Sequence, residues 1–363
     1  MDGMTDAVFR LIAARHGRPD VSFTEFTAVE RIVRGHDPDL FDLRYDESER
    51  PVVAQVFGAD PEAFYRVAHA VCELGFDGMD INMGCPSKTI AGRGAGAGLI
   101  QTPDLARTII RRTRDGIRDW AAGQTLAQAG LPEAVIASVS RKRMASPGAP
   151  RREIPVSVKT RLGYHTVVIE DWIRHLLSES PAAVSIHGRT LRQQYRGEAD
   201  WDAIARAAEI ARGSGTLILG NGDLKSAADA VRRLRETHVN GVLLGRVTIG
   251  FPWIFRAAEG IRAAVRNGSA SPNEPSVNVA EKLAVALEHA DLYERMNGRR
   301  SYRSIRKFLS AYCRGFSNAA GVRRRLVQCE SYAEVAEVLL PLIEGGISLP
   351  EPVPLSPSAE SWA

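Results

Sequence analysis

The chain has 363 residues, 44% apolar and 25% charged, a balance that argues against a disordered or fibrous polymer and leaves room for one large core and a smaller one. Its formal net charge of +4 is too slight, as a total, to indicate an acidic partner. Four cysteines (Cys72, Cys85, Cys313 and Cys329) without C-x-x-C or zinc spacing, an acidic N-terminus and no apolar run of about 18 residues argue against a zinc module, a secretory leader and a membrane span, so a reduced, cytoplasmic protein with no metal is expected.

Read in order, the chain opens on a polar loop, Asp2-Gly3-Met4-Thr5-Asp6, that leads into a helix at Phe9-Arg10. Strand candidates then recur at 21–26, 52–56, 78–82, 156–159, 183–186, 216–219 and 241–244. Most lie roughly 25–35 residues apart with helical patterns between them, as repeated βα units predict. In the helix expected at 61–74, Phe64, Val67, Ala68 and Val71 fall at i, i+3, i+4 and i+7. Pro61 sits in its first turn and Asp60 is placed to cap it.

The stretch Gly78-Met79-Asp80-Ile81-Asn82-Met83-Gly84-Cys85-Pro86-Ser87-Lys88 reads as a buried strand running out into a polar loop. It presents Asp80, Asn82 and Cys85 at or just past the strand's carboxyl end. Pro86 blocks continuation as strand or immediate entry into helix. The glycine-rich residues 92–98 follow, a loop with wide backbone freedom. A cysteine beside a proline on such a loop is held in place yet reachable; it is either a small buried hydrophobe or a functional thiol.

A helix at about 103–114 comes next, then extra residues, about 118–152, before the strand at 156. Following a helix and preceding a strand, this segment belongs to the N-terminal face of a barrel, where stability rather than catalysis resides. It reads as a decorative insertion with a short helix at 132–143 and a loop at 146–150, its Arg141-Lys142-Arg143 cluster leaving an RNA contact open. Lys159 directly follows Val156-Ser157-Val158, and His187 directly follows Ala183-Val184-Ser185-Ile186, so each side chain starts at the core. After Phe255 and a last barrel helix, 267–278 reads as a linker, 279–347 as a helical unit and the Pro/Ser-rich 348–363 as a disordered tail. Between Arg295 and Arg325 there are ten basic residues and no Asp or Glu. On a helical wheel Ile305, Phe308, Leu309 and Tyr312 share one face and Arg303, Lys307 and Arg314 lie opposite. An apolar face to dock and a basic face left for phosphates suits RNA.

Asn82-Met83-Gly84-Cys85-Pro86-Ser87, followed by the glycine-rich loop, resembles the active-site loop of the tRNA-dihydrouridine synthases, FMN-dependent TIM-barrel enzymes that reduce uridine in tRNA. Further tags follow in the family's order: Gln55-Val56-Phe57-Gly58, Val158-Lys159-Thr160-Arg161-Leu162-Gly163, His187-Gly188-Arg189-Thr190, Gln194-Tyr195-Arg196-Gly197 with Ala199-Asp200-Trp201, Asn221-Gly222-Asp223, and Gly245-Arg246. Each is weak alone; their ordered combination, spanning Met1 to about Glu330, is specific. The resemblance implies an α/β TIM (β/α)8 barrel over 1–266 and a small C-terminal helical domain that binds tRNA. The loop at Asp2–Asp6 is similar to the one after the family's first barrel strand, and that strand would precede Met1.

The resemblance also implies roles. Cys85 would be the general acid that protonates C5 of uracil after hydride reaches C6. Gln55, Lys159, His187, Asn221, Gly222, Asp223, Gly245 and Arg246 would bind FMN, with Asn221, Gly222, Gly245 and Arg246 taking its phosphate in the usual phosphate region of this fold. Asn82 and Arg161 would hold the uracil, and Arg299, Arg303, Lys307 and Arg314 the tRNA. NADPH would renew the flavin from a transient position, because residues 92–98 lack the spacing and acidic partner of a dinucleotide fingerprint. The uracil would have to be flipped out of the tRNA. A monomer is expected. The competing readings are a flavin barrel acting on a free pyrimidine, resembling dihydroorotate dehydrogenases, and an RNA-binding homologue impaired in catalysis.

Overall fold

The structure is a computed structural model that describes residues 3–35, 40–142 and 151–343. The expected loop at 146–150, Arg143 and the expected tail at 348–363 lie outside the described residues, as does the side chain of Arg299. Eight strand segments form one sheet: β1 (Ser22–Phe23), β2 (Thr27–Ala28), β3 (Val52–Phe57), β4 (Gly78–Met83), β5 (Val156–Arg161), β6 (Ala183–His187), β7 (Leu217–Asn221) and β8 (Gly241–Leu243). Every pairing is parallel, and from β3 onward the order follows the chain.

The strand expected at 21–26 is two short pieces, both paired with β3. Ser22 lies opposite Val52 and Thr27 opposite Val56, so the first segment carries one residue more than its partner. The cause sits in the bulge. Thr24 Oγ1 accepts from Gln55 N at 2.9 Å, and Glu25 turns aside to accept Met4 N and Thr5 N at 2.8 and 2.9 Å. Counting β1 and β2 as one, seven strand positions are filled, against eight in a closed barrel. Among the described residues β8 and β1 do not pair, so the curled sheet is open between them.

The helices are α1 (Ala7–His16), α2 (Val29–Val33), α3 (Pro61–Glu73), α4 (Lys88–Ala91), α5 (Pro103–Ala121), α6 (Glu133–Lys142), α7 (Ile169–Leu177), α8 (Trp201–Ile210), α9 (Ala227–Thr237) and α10 (Ala258–Asn267). The helical unit follows as α11 (Val279–Asn297), α12 (Arg306–Tyr312), α13 (Ala319–Leu326) and α14 (Tyr332–Ile343). Asp60 caps α3 by accepting Glu62 N at 2.9 Å, and Phe64, Val67, Ala68 and Val71 are fully buried. Among the described residues no helix is long and apolar enough to cross a membrane.

The segment before β5 differs from the expected ornament. α5 runs past residue 114 to Ala121 because Ile117 and Trp120 continue its buried face, so the segment begins inside a helix. Leu126, Leu131, Val135 and Val139 are buried in the same apolar cluster as the barrel strands. Arg151 donates to Trp120 O and Gln124 O at 2.8 and 3.0 Å, and pins the return to β5.

A second apolar cluster joins α1 to α11, α12 and α14 through Val8, Leu11, Ile12, Leu283, Phe308 and Leu339. The first helix therefore packs on the C-terminal unit. Arg15 and His16 meet Glu288 at 2.8 and 2.6 Å, and Arg44 donates to Met296 O and Asn297 Oδ1 at 3.0 and 2.7 Å. The linker is pinned as well: Glu274 accepts Ala227 N at 2.5 Å, and Asn278 caps α11 by accepting Glu281 N at 2.8 Å.

Candidate active site

Parallel pairing puts the polar strand ends side by side. Gln55 lies opposite Asp80, Asn82 opposite Lys159, Arg161 opposite His187, and His187 opposite Asn221. These rows close the carboxyl ends of β3 to β7, the functional end of a parallel barrel.

A hydrogen-bonded relay runs from the barrel interior to Cys85. Asp80 is fully buried and accepts from Ser157 Oγ at 2.6 Å and Gln55 Nε2 at 2.7 Å. Gln55 Oε1 accepts from Asn82 Nδ2 at 3.0 Å, and Asn82 Oδ1 accepts from Gly84 N and Cys85 N at 3.0 and 2.8 Å. The loop is close-packed: a Cβ on Gly84 would lie 3.2 Å from Thr160 C, and Gly96, at φ +55°, passes so close that its Cβ would lie 3.1 Å from Cys85 Cβ. Arg161 braces the far side by donating from Nε to Gly84 O at 2.7 Å, and from Nη1 to Thr190 O and Gln194 O at 3.2 and 3.1 Å. Asn82 and Arg161, expected to hold a substrate base, are thus buried and largely committed to shaping the two loops at the mouth.

Lys159 is different. Among the described residues its ammonium has no hydrogen-bond or ion-pair partner, and it is only half-buried. Burial pushes its pKa down to about 8, with Arg161 acting in the same sense and Asp80 against it. Burial raises Asp80 above its ordinary value, opposed by the bonds from Ser157 and Gln55 and by the charge of Lys159.

On the other side of the mouth, Arg189 is buried and donates to Asp223 Oδ2 at 2.7 Å, to Gly197 O at 2.6 Å and to His187 Nε2 at 3.4 Å. Asp223 also accepts from Ala199 N at 2.9 Å and, at Oδ1, from Arg246 Nη2 at 2.9 Å. Burial opposes ionisation of Asp223, but these bonds and the two guanidinium charges outweigh it and hold its pKa low. Its carboxylate, expected among the cofactor ligands, is an acceptor taken by two arginines. It can arrange a phosphate site but cannot bind a phosphate itself. Burial, with Lys159, Arg161 and Arg189, pushes His187 down to about 2 against the pull of Asp223, so the ring is neutral. Gly222, at φ +139°, is required: a Cβ would lie 2.5 Å from Ala199 Cβ. Asn221 Nδ2 donates to Leu243 O at 3.0 Å, tying β7 to β8.

In the helical unit Ile305, Phe308, Leu309 and Tyr312 are buried, as their spacing predicts. The basic face is less free than its sequence suggests. Glu330, just beyond the acid-free interval, pairs with Arg303 at 2.8 Å and Arg306 at 3.6 Å. Lys307 donates to Gly3 O in the loop before α1. Arg314, Arg324 and Arg325 are exposed and carry no ion pair among the described residues. Sequence reasoning left Ser157 and Arg189 without roles. Arg189 was visible inside the His-Gly-Arg-Thr tag, whereas nothing in the sequence marks Ser157.

A parallel α/β barrel sheet with a neutral histidine, a free lysine and a cysteine loop gathered at its carboxyl ends defines a barrel enzyme. The family model for dihydrouridine synthase matches residues 1–119 and 141–344, and the chain belongs to that family. It is 31% identical over 347 residues to "Probable tRNA-dihydrouridine synthase 2" of Bacillus subtilis (strain 168), covering 93% of this chain and 91% of the relative. It is 30% identical over 351 residues to "Probable tRNA-dihydrouridine synthase" of Staphylococcus aureus (strain COL), covering 93% and 90%. Among solved structures it is similar to a dihydroorotate dehydrogenase of Eimeria tenella at TM-score 0.43 and 14% identity, over 68% of this chain and 64% of that one, a likeness too distant to bear on function.

Proposed function

We propose that this protein reduces the C5=C6 bond of uridines in tRNA to dihydrouridine, with flavin mononucleotide held at the barrel mouth and NADPH as the reductant that renews it. The observation that carries the reading is Lys159, partnerless and one strand from the Asn82–Cys85 loop, in a chain of the dihydrouridine synthase family.

The donors fit a flavin mononucleotide. Lys159 offers an unpaired ammonium, and His187 Nδ1 has no protein partner among the described residues. At the far end, backbone N–H groups of Gly222, Asp223, Gly245 and Arg246, just past β7 and β8, and the Arg246 guanidinium would take the phosphate dianion. When bound, the flavin would supply hydride to C6 of the uracil.

The rest falls to the chain. Lys159, still mostly protonated at pH 7, places positive charge where the reduced ring is anionic. Gln55, anchored by Asp80, offers its second amide hydrogen to the ring edge. Asn82 and Arg161 hold the loop that carries Cys85, and Cys85 delivers the proton to C5. Arg314, Arg324 and Arg325 supply the phosphate contacts that offset the cost of flipping the target base.

The test is to incubate purified protein with FMN, NADPH and tRNA lacking dihydrouridine, and to digest the RNA for nucleoside analysis. Dihydrouridine in the tRNA and none from free uridine or orotate is the expected result. Turnover of a free pyrimidine with none of tRNA would overturn the reading.

A further inference from the structure

Arg189 touches four groups at once, and none of the expected site residues accounts for it. Its Nη2 donates to Asp223 and Gly197 O, its Nε to Arg196 O at 3.3 Å, and its Nη1 approaches His187 Nε2 at 3.4 Å. A guanidinium has donors and no acceptor. A proton on Nε2 would set two donors face to face, so the neutral His187 ring carries its proton on Nδ1. Nδ1 has no protein partner among the described residues and is open to solvent. The opposite edge faces Gly222, where a Cβ would lie 3.6 Å from His187 Cδ2.

The same guanidinium acts in a second direction. Asp223 sits at φ +53° after Gly222, and Arg189 with Ala199 N fixes its Oδ2. This leaves Oδ1 to hold the exposed Arg246 at 2.9 Å. One buried cation thereby orients a ring donor at the end of β6 and a guanidinium after β8.

We propose that Arg189 is a positioning residue of the mouth: it presents His187 as the Nδ1–H tautomer and, through Asp223, holds Arg246 in place. Two donors are then aimed at one ligand that carries both a hydrogen-bond-accepting ring and a phosphate. The ligand part rests on the flavin reading above; the tautomer does not.

Long-range proton–nitrogen correlation on ¹⁵N-labelled protein reads the tautomer, with the His187 signals identified by their loss in His187→Gln. Wild type should show Nδ1 protonated near pH 7, and Arg189→Met should move the proton partly or wholly to Nε2. FMN affinity should fall about tenfold or more in Arg189→Met and partly recover in Arg189→Lys, which keeps a donor for Asp223. Nε2 protonated in wild type would overturn the proposal whether or not any variant folds. So would an unchanged tautomer in Arg189→Met with the melting temperature retained. A protein that takes no flavin yet shows the Nδ1 tautomer and its loss in Arg189→Met would sink the flavin reading and leave the positioning role standing.

Discussion

Gln55 Nε2 donates to Asp80 Oδ2 at 2.7 Å across neighbouring strands, and that one hydrogen bond sets the polarity of the path to Cys85. With Asp80 Oδ2 as the acceptor, Gln55 turns its amide nitrogen inward and its oxygen toward Asn82. Asn82 in turn points its nitrogen at Gln55, which leaves Oδ1 to gather Gly84 N and Cys85 N. Asp80→Ala removes the acceptor and strands two half-buried donors, Gln55 Nε2 and Ser157 Oγ. It should cost about 1–3 kcal/mol in stability and lower flavin content. Asp80→Asn should be milder, because the Ser157 hydroxyl can reverse and accept. Denaturant melts of both variants check this; equal losses would mean the carboxylate acts through its charge alone.

Lys159 gives a pH signature. Its folded pKa, about 8, lies below its ordinary 10.5, so the native state resists carrying this proton. Its favourable contribution to stability is complete above the ordinary value and is lost as pH falls through about 8. Flavin-free Lys159→Met should therefore melt above wild type at pH 7, and the gap should close between about pH 8 and 10.5. A variant less stable than wild type at pH 7 would show that the ammonium is well solvated or paired.

The basic face of the helical unit should divide into two sets. Arg314, Arg324 and Arg325 are exposed and unpaired among the described residues, whereas Arg303 is held by Glu330 and Lys307 by Gly3 O. Reversing the first three to Glu should weaken tRNA binding and flatten its salt dependence, by roughly 0.7–0.9 in slope for each phosphate that is no longer neutralised. Reversing Arg303 and Lys307 should do less to the salt slope. Binding titrations at several salt concentrations separate the sets, and equal effects would remove the distinction.

Much of this was legible in the sequence because the barrel repeats a simple physical pattern. Val52, Ala54 and Val56 alternate inward on β3, β4 is buried throughout, and β3 to β7 carry polar residues at or near their carboxyl ends that the parallel register brings together. What was not legible depends on neighbours distant in the chain. Glu330 neutralises Arg303 from outside the basic stretch, and Glu25 in the bulge accepts Met4 N and Thr5 N from the start of the chain. Nor does local pattern reveal that Asn82 and Arg161 spend their hydrogen bonds on backbone groups of the loops they brace.

The segment before β5 should matter to stability more than an ornament would. Leu131 is buried in the barrel's own apolar cluster, two residues before α6. Leu131→Ala should cost about 2–5 kcal/mol. Because Asp77, just before β4, pairs with Arg152 at 3.6 Å, the segment returns at the N-terminal face and the change should leave flavin content intact. Thermal melts and the absorbance ratio near 450 nm measure the two effects. A stable variant that has lost flavin would place the segment at the wrong face.

Cys85 is the sharpest case, because the two half-reactions ask different things of the protein. Reduction of the flavin by NADPH needs no protein acid, whereas reduction of uracil needs a proton at C5. The loop does not depend on the thiol for its shape. Asn82 holds Cys85 N, Ala97 N donates to Cys85 O at 3.2 Å, and Arg161 holds Gly84 O. Cys85→Ala should therefore keep flavin, tRNA binding and flavin reduction by NADPH. Oxidation of the reduced flavin by tRNA in a single turnover should fall by about 10²–10⁴-fold. Cys85→Ser should be nearly as slow, since a hydroxyl is a far weaker acid than a thiol. If Cys85→Ala reduces tRNA at the wild-type rate, the proton comes from another group. If it loses flavin instead, the side chain is a packing element, held by the close approach of Gly96.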